Sequence, residues 1–395
     1  MKTEFLPDTA SGGGSGAGNA SPTATHWSQS LPVGELSTPA YVYGVDEVAR
    51  RIRALKQALG TSVVISYKAC PNYDVISRLP ADCLDGVELA SRGELHMFAG
   101  HRPRHFYVNT PALNASLARA AIGAKASFVI DAPHQLRLVA EQRGKRTIGP
   151  VALRLSSRLI QRFSPEAPTL RRDQFGMDLA LLDESIALAR ELGIAIDGLH
   201  LFAGPHTFGR ASSHVVTALV QTVAFVEERL GHALSWVSLG GGLEENWAEK
   251  GHDFEIYRRE LARLSDHLEK VHEFGRAIFA SAGIFATKVV AVKTVEGQPY
   301  AVCDGGMAQS FLLAQTENIL RKYRQPRVAN RDAEVAGGPR TVIVGSTCSR
   351  DDVIGETDRV LRPGDILVFE GCGAYHRTYS MTNFLTLGEA SVYVY

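Results

Sequence analysis

The stretch "VVISYKACPN" (63–72) ends an apolar run on a single lysine, Lys68, immediately before Cys-Pro. Two chemistries are open to an amine so placed. In water it is a charged gatekeeper at a strand end. Desolvated, its pKa falls and the free amine can condense with an aldehyde. A second feature lies in "WVSLGGG" (236–242), where Gly240, Gly241 and Gly242 end another apolar run. Three residues without a Cβ can wrap bare N–H groups around an anionic oxygen, or simply make a tight turn.

Whether these residues meet depends on the elements that carry them. The 395-residue chain is long enough for one large domain or two ordinary ones. Its 42 basic and 42 acidic residues balance, so charge points neither to nucleic acid nor to a membrane surface. Five cysteines without a CxxC pair fit reduced thiols better than disulfides or a zinc site, and no metal site is expected. No apolar run approaches a membrane span, and the N-terminus lacks a signal-peptide core, so a cytoplasmic location is expected. Residues 1–30 read as a disordered Gly/Ser-rich arm.

From about residue 45 the chain alternates short apolar runs with amphipathic ones. "VDEVARRIRALKQAL" (45–59) has helical spacing. Strands are predicted at 62–69, 86–91, 105–110, 127–132, 151–156, 198–204 and 236–242, with "AIFASAG" (277–283) as the eighth. Eight strands alternating with helices predict a (β/α)8 barrel over 45–285. Such barrels gather chemistry at the C-terminal strand ends, where Lys68, Ser91, Arg154, the 204–206 turn with His206, and Gly240 to Gly242 all fall. Beyond Phe285 the texture is strand and turn. It predicts a mainly β domain from residues 31–44 and 286–395, with "PAYVYG" (39–44) as an added strand.

A strand-one lysine and an anion cradle are the minimal equipment for pyridoxal 5′-phosphate. Here the sequence resembles the fold type III PLP-dependent decarboxylases, relatives of the ornithine, arginine and diaminopimelate enzymes. "SYKAC" is similar to their Schiff-base lysine motif. "GVELASRGEL", "QFGMD", "SLGGG", "CDGGM", "GSTCSRDD" and "GCGAY" continue the likeness in order over about residues 38–385. The resemblance implies an alanine racemase-like barrel, PLP on Lys68, and cofactor contacts from Ser91, Arg154, Phe202, Gly240, Gly241, Gly242, Ser281 and Tyr375. It implies Cys348 as the thiol that reprotonates the substrate carbon. Ser349, Arg350, Asp352 and His206 would line the substrate site. It also implies a homodimer in which the "GSTCSRDD" loop serves the partner subunit.

Departures from the family pattern fall on the cofactor. The strand-eight Glu-Pro-Gly-Arg motif is read as Ser281-Ala282-Gly283-Ile284, losing the acid that faces the pyridine nitrogen and the arginine that neutralises phosphate. The strand-six motif reads Phe202-Ala203-Gly204-Pro205. After Cys348, where enzymes for basic amino acids carry an acid, stand Ser349 and Arg350. The expectation is decarboxylation of an unusual amino acid or conjugate without a distal ammonium, in small-metabolite biosynthesis. The alternatives are an impaired homologue with a binding or regulatory role, or a PLP enzyme with racemase or elimination chemistry.

Overall fold

The computed structural model describes residues 4–5, 27–98, 103–316, 318 and 320–395. The arm read at 1–30 lies almost wholly outside the described residues; its last four, Trp27–Ser30, form a 3-10 turn. The chain divides into two compact units. One comprises Arg50–Tyr73 and Pro80–Ala277; the other takes the N-terminal residues through Ala49, Asp74–Leu79 and Ile278–Tyr395.

The first unit is a closed, all-parallel barrel of eight strands. In chain order they are Ser62–Ser66, Gly86–Leu89, His105–Asn109, Ser127–Ile130, Val151–Leu155, Gly198–Leu201, Trp236–Ser238 and Glu269–Phe274. They are named strands one to eight below. Val64, Tyr107, Val129, Ala152, Trp236 and Val271, from six different strands, pack as one buried cluster, the side-chain filling that makes such a barrel solid. Amphipathic helices wrap it; the longest, Phe208–Leu230, follows the loop 202–207 after strand six and ends on Gly231 in the left-handed region, φ 76°.

Seven strands fall where the apolar runs predicted them. The eighth does not. Residues 277–283 are a helical turn, Arg276–Phe279, then a 3-10 turn, Ala280–Ala282, leading into a long strand, Gly283–Val295. The barrel instead closes through Glu269–Phe274, where Val271 pairs Ser62 of strand one and Ser238 of strand seven. Its sequence, "EKVHEF", has four ionisable residues in six, so a search for apolar runs passes over it. His272 and Glu273 are buried, whereas Glu269 and Lys270 at its start are half-buried. His272 lies between the Tyr257 hydroxyl at 2.8 Å and Thr61 Oγ1 at 2.7 Å, and its ring stacks parallel on Phe274.

The second unit is built on a sheet in which Ala40–Tyr43 lies between Gly283–Val295 and Ser391–Val394. The N-terminal strand expected from "PAYVYG" is therefore present. Val42, Ile284, Ala286, Ile366 and Val368 belong to one buried core on that sheet.

Candidate active site

Lys68 sits in a 3-10 turn, Tyr67–Ala69, directly after strand one. Its Nζ lies 2.6 Å from both carboxylate oxygens of Glu88. The carboxylate is buried at the end of strand two, with its side chain 1% exposed, whereas the lysine is 45% exposed. The amine is thus held from below and reachable from above.

Strand eight delivers Glu273 into the same barrel. Its carboxylate accepts from the Ser238 hydroxyl of strand seven and lies 3.2 Å from His200 Nε2 of strand six. Burial alone would raise this carboxyl; the charge of His200 and the His200 and Ser238 hydrogen bonds outweigh it and hold Glu273 well below the usual carboxylate range. Tyr107 of strand three is buried, and its hydroxyl has no hydrogen-bond partner among the described residues. Its hydroxyl pKa is raised by burial and then by the negative charges of Glu273 and Glu88. Beside them Arg154 Nη1 donates to Asp131 Oδ1 at 3.2 Å, and the guanidinium rests over the Phe175 ring, 4.4 Å from its centre. All of these side chains except the half-buried Phe175 are buried.

The glycine triplet lies against strands six and eight. Gly240 and Gly242 have φ of 61° and 96°, a region open to glycine and costly for other residues. A Cβ on Gly241 would stand 2.1 Å from the Glu273 carbonyl oxygen, and one on Gly242 2.8 Å from the Gly204 carbonyl oxygen. Among the described residues, neither the Gly241 nor the Gly242 amide donates a hydrogen bond. Two bare amides, with Gly275 and Arg276 following Glu273 at the neighbouring strand end, are donors suited to an anion.

Other expected residues fare differently. Ser91 caps the helix Arg92–Met97, its hydroxyl accepting from the Glu94 amide at 3.1 Å. Phe202 is half-buried on the loop after strand six, against Gly240, and His206 is exposed with φ 56°. Ser281 and Ile284 require correction, because they do not end strand eight. The Ser281 carbonyl accepts from the Trp27 indole at 3.0 Å, and Ile284 is core. The residues that do end strand eight, Glu273-Phe274-Gly275-Arg276, match the motif except for Phe274 in place of proline. The glutamate and the arginine are both retained. The string "EFGR" differs from Glu-Pro-Gly-Arg at one position and could have been found in the sequence. Glu88 and His200 are the other residues missed; each lay inside a run read only as strand.

In the second unit, Cys348 is exposed on the loop between Thr341–Val344 and Val353–Thr357. Asp352 organises that loop. One of its oxygens accepts from the Met307 amide at 2.7 Å and the other from the Thr347 amide at 2.9 Å. A Cβ on Gly306 or Gly345 would stand 2.4 or 2.3 Å from the same carboxylate, which explains the glycines in "CDGGM" and "GSTC". Ser349 Oγ accepts from the Asp351 amide at 3.2 Å, and Arg350 is exposed. Tyr375 is half-buried with φ 67°, a conformation that a bulky residue holds only when its surroundings enforce it. No group of acidic, histidine or cysteine side chains arranged to hold a metal occurs among the described residues, and no helix among them is long and apolar enough to cross a membrane.

A family model described as the pyridoxal-binding domain of pyridoxal-dependent decarboxylases matches residues 45–285. Diaminopimelate decarboxylase of Haemophilus influenzae is 24% identical over 377 residues, covering 90% of this chain and 88% of that protein. The 2-[(L-alanin-3-ylcarbamoyl)methyl]-2-hydroxybutanedioate decarboxylase of Staphylococcus aureus is 25% identical, with 88% and 91% covered. The fold matches a lysine/ornithine decarboxylase from Vibrio vulnificus with a TM-score of 0.77 at 24% identity, over 92% of this chain and 94% of that one.

Proposed function

The chain belongs to the pyridoxal-dependent decarboxylases, and from that premise we propose that it removes carbon dioxide from an amino-acid conjugate whose distal end is anionic rather than an ammonium. The observation that carries the catalytic part is the buried Glu273, held as an anion at the barrel mouth beside strand one.

The residues present fit pyridoxal 5′-phosphate. Lys68 offers an amine for its aldehyde, Glu273 a fixed negative charge for its pyridinium, and the Gly241 and Gly242 amides with Arg276 suit its phosphate. When bound, the cofactor supplies a sink for the electron pair left as carbon dioxide departs. The chain's own groups do the rest. Glu88 orients the Lys68 amine. His200 and Ser238 keep Glu273 ionised, so that a proton on the facing nitrogen is stabilised. Cys348 delivers a proton from Sγ to the substrate carbon, and in the homodimer that the resemblance implies it serves the partner subunit's barrel, with Tyr375 as a further phosphate contact.

Retention of Glu273 and Arg276 removes the reason for reading the chain as an impaired homologue, and equally the reason for racemase or elimination chemistry built on a neutral pyridine partner.

The substrate class is supported by the loop after Cys348. Ser349 and Arg350 offer no carboxylate, Asp351 is paired with Arg321 at 2.8 Å, and both oxygens of Asp352 accept backbone amides. That leaves Arg350 as the nearest charge to Cys348 in sequence without an ion pair. The Staphylococcus aureus relative is named for a conjugate of an alanyl group with a hydroxybutanedioate, a substrate of this kind. The test is carbon dioxide release from the PLP-loaded protein, offered diaminopimelate, ornithine, lysine and that conjugate in parallel. Release from the conjugate alone supports the proposal; efficient release from ornithine or lysine overturns it.

A further inference from the structure

Beside the end of strand five lies a groove of about 740 Å³, counted with its open side, lined by Ser157, Arg158, Gln161, Thr169, Leu170, Arg171 and Arg172. We infer that it binds the distal, multiply anionic tail of the substrate; this rests on the substrate class proposed above and assigns that class a site.

Three observations converge. The first is charge. Residues 154–172 hold five arginines and one acid, Glu166, in a chain whose charges balance as a whole. Glu166 faces His214 at 3.6 Å. The nearest following acid, Asp173, accepts the Phe175 amide at 3.0 Å.

The second is the lack of compensation. Arginines elsewhere, such as Arg53, Arg104 and Arg331, reach carboxylates. Among the described residues, the side chains of Arg158, Arg171 and Arg172 make no ion pair or hydrogen bond. Three arginines lining one groove give it a positive charge that no neighbouring carboxylate offsets and that an anion would. Their planar forks match carboxylate and phosphate oxygens two at a time. Gln161, Thr169 and Ser157 add neutral donors, and Leu170 gives an apolar wall for a linker.

The third is position. The chain that forms the Thr169–Arg172 wall runs on to Phe175, under the Arg154 guanidinium. Gly176 then donates to Asp131 Oδ1 at 3.0 Å, and Met177 to the Arg154 carbonyl at 2.9 Å. The wall of the groove is thus continuous in sequence with the segment that packs on the Arg154–Asp131 pair at the barrel mouth. A substrate whose amine reaches the mouth can extend its tail along this wall.

The shared chemistry is two or more adjacent anionic groups, either separated carboxylates or a phosphate. Titration calorimetry on the PLP-loaded full chain, without turnover, uses citrate, inorganic phosphate and acetate as probes. Saturable citrate binding is expected, tighter than phosphate and absent for acetate; tighter phosphate binding at equal ionic strength would identify a phosphorylated tail at the same site. Arg158→Ala and the pair Arg171→Ala with Arg172→Ala should each weaken binding about tenfold or more, as loss of hydrogen bonds to charged groups predicts. Arg259→Ala, exposed on the helix Phe254–Leu261, paired with Glu255 and not lining the groove, should change nothing. Citrate should also protect Arg158, Arg171 and Arg172 of the unmodified protein from phenylglyoxal, a readout that needs no variant to fold. No saturable binding, or binding unaltered in the variants with no protection, overturns the site. Because binding is read without catalysis, decarboxylation of a cationic substrate with citrate binding intact would defeat the substrate reading alone.

Discussion

At the scale of the residue, Glu273 and Ser281 are rival occupants of one role, and substitution separates them. Glu273→Gln keeps shape and removes charge, so activity should fall on the order of a hundredfold or more, the loss typical for a preorganised charged group. Its folded circular dichroism should be retained. Ser281→Ala should leave activity within about twofold, because that residue contacts Trp27 in the second unit. Equal losses in both variants would undo the strand-eight correction. The neighbouring His272 predicts a pH dependence of stability. Burial pushes its imidazole down from the ordinary 6.5 to about 3. The unfolded chain therefore binds more protons between those values, and stability falls as pH drops below about 6.5. Glu273 acts in the same sense: its folded pKa is depressed, so its contribution is present above the ordinary 4.5 and lost on acidification. Lowering pH from 6.5 to 5 should cost about 2 kcal/mol through His272 alone, measured as urea midpoints at each pH. His272→Gln should flatten that limb, and an unchanged slope would show that the ring is not held neutral.

At the scale of the element, two loops are built on glycine for different reasons. Gly241 tucks against the end of strand eight, so Gly241→Ala must displace either the loop or the Glu273 backbone. An overpacking cost of about 1–3 kcal/mol follows, and PLP affinity should weaken along with thermal stability. The "GSTCSRDD" loop depends on Asp352, 2% exposed and bonded to two amides. Asp352→Ala leaves both amides without their charged acceptor and should cost about 3 kcal/mol, read by denaturant unfolding; a loss below about 0.5 kcal/mol would deny it that role. These elements also show how far the sequence was legible. Seven barrel strands and the β unit follow from apolar runs, because their burial is carried by Val, Ile, Leu and aromatics that a periodicity count detects. Strand eight escapes because four of its six residues are ionisable, and the two of these that are buried, His272 and Glu273, are held by partners on other elements. The glycine triplet and Lys68 were visible from local sequence; the pairing of Lys68 with Glu88, and of Glu273 with His200 and Ser238, joins residues 20 to 73 positions apart.

At the scale of the whole molecule, the proposed mechanism needs Lys68 and Cys348 to act on one substrate. Cys348 is exposed on its loop, and the second unit also exposes Tyr379, Met381, Phe384, Leu385 and Leu387 within one short segment. A monomer gains nothing from such an apolar cluster, whereas a subunit contact would cover it. In the dimer proposed above, one copy's loop would complete the partner's barrel. The consequence is quantitative. Lys68→Ala and Cys348→Ala homodimers should each be nearly inactive. Mixed in equal amounts and allowed to exchange, half the dimers become heterodimers, each with one site carrying both native residues and one carrying neither, so activity should recover to about a quarter of the native value. Recovery should follow the subunit-exchange time and vanish when the homodimers are cross-linked before mixing. If the sites are formed within single chains, no mixture can restore activity, because every chain lacks one of the two residues.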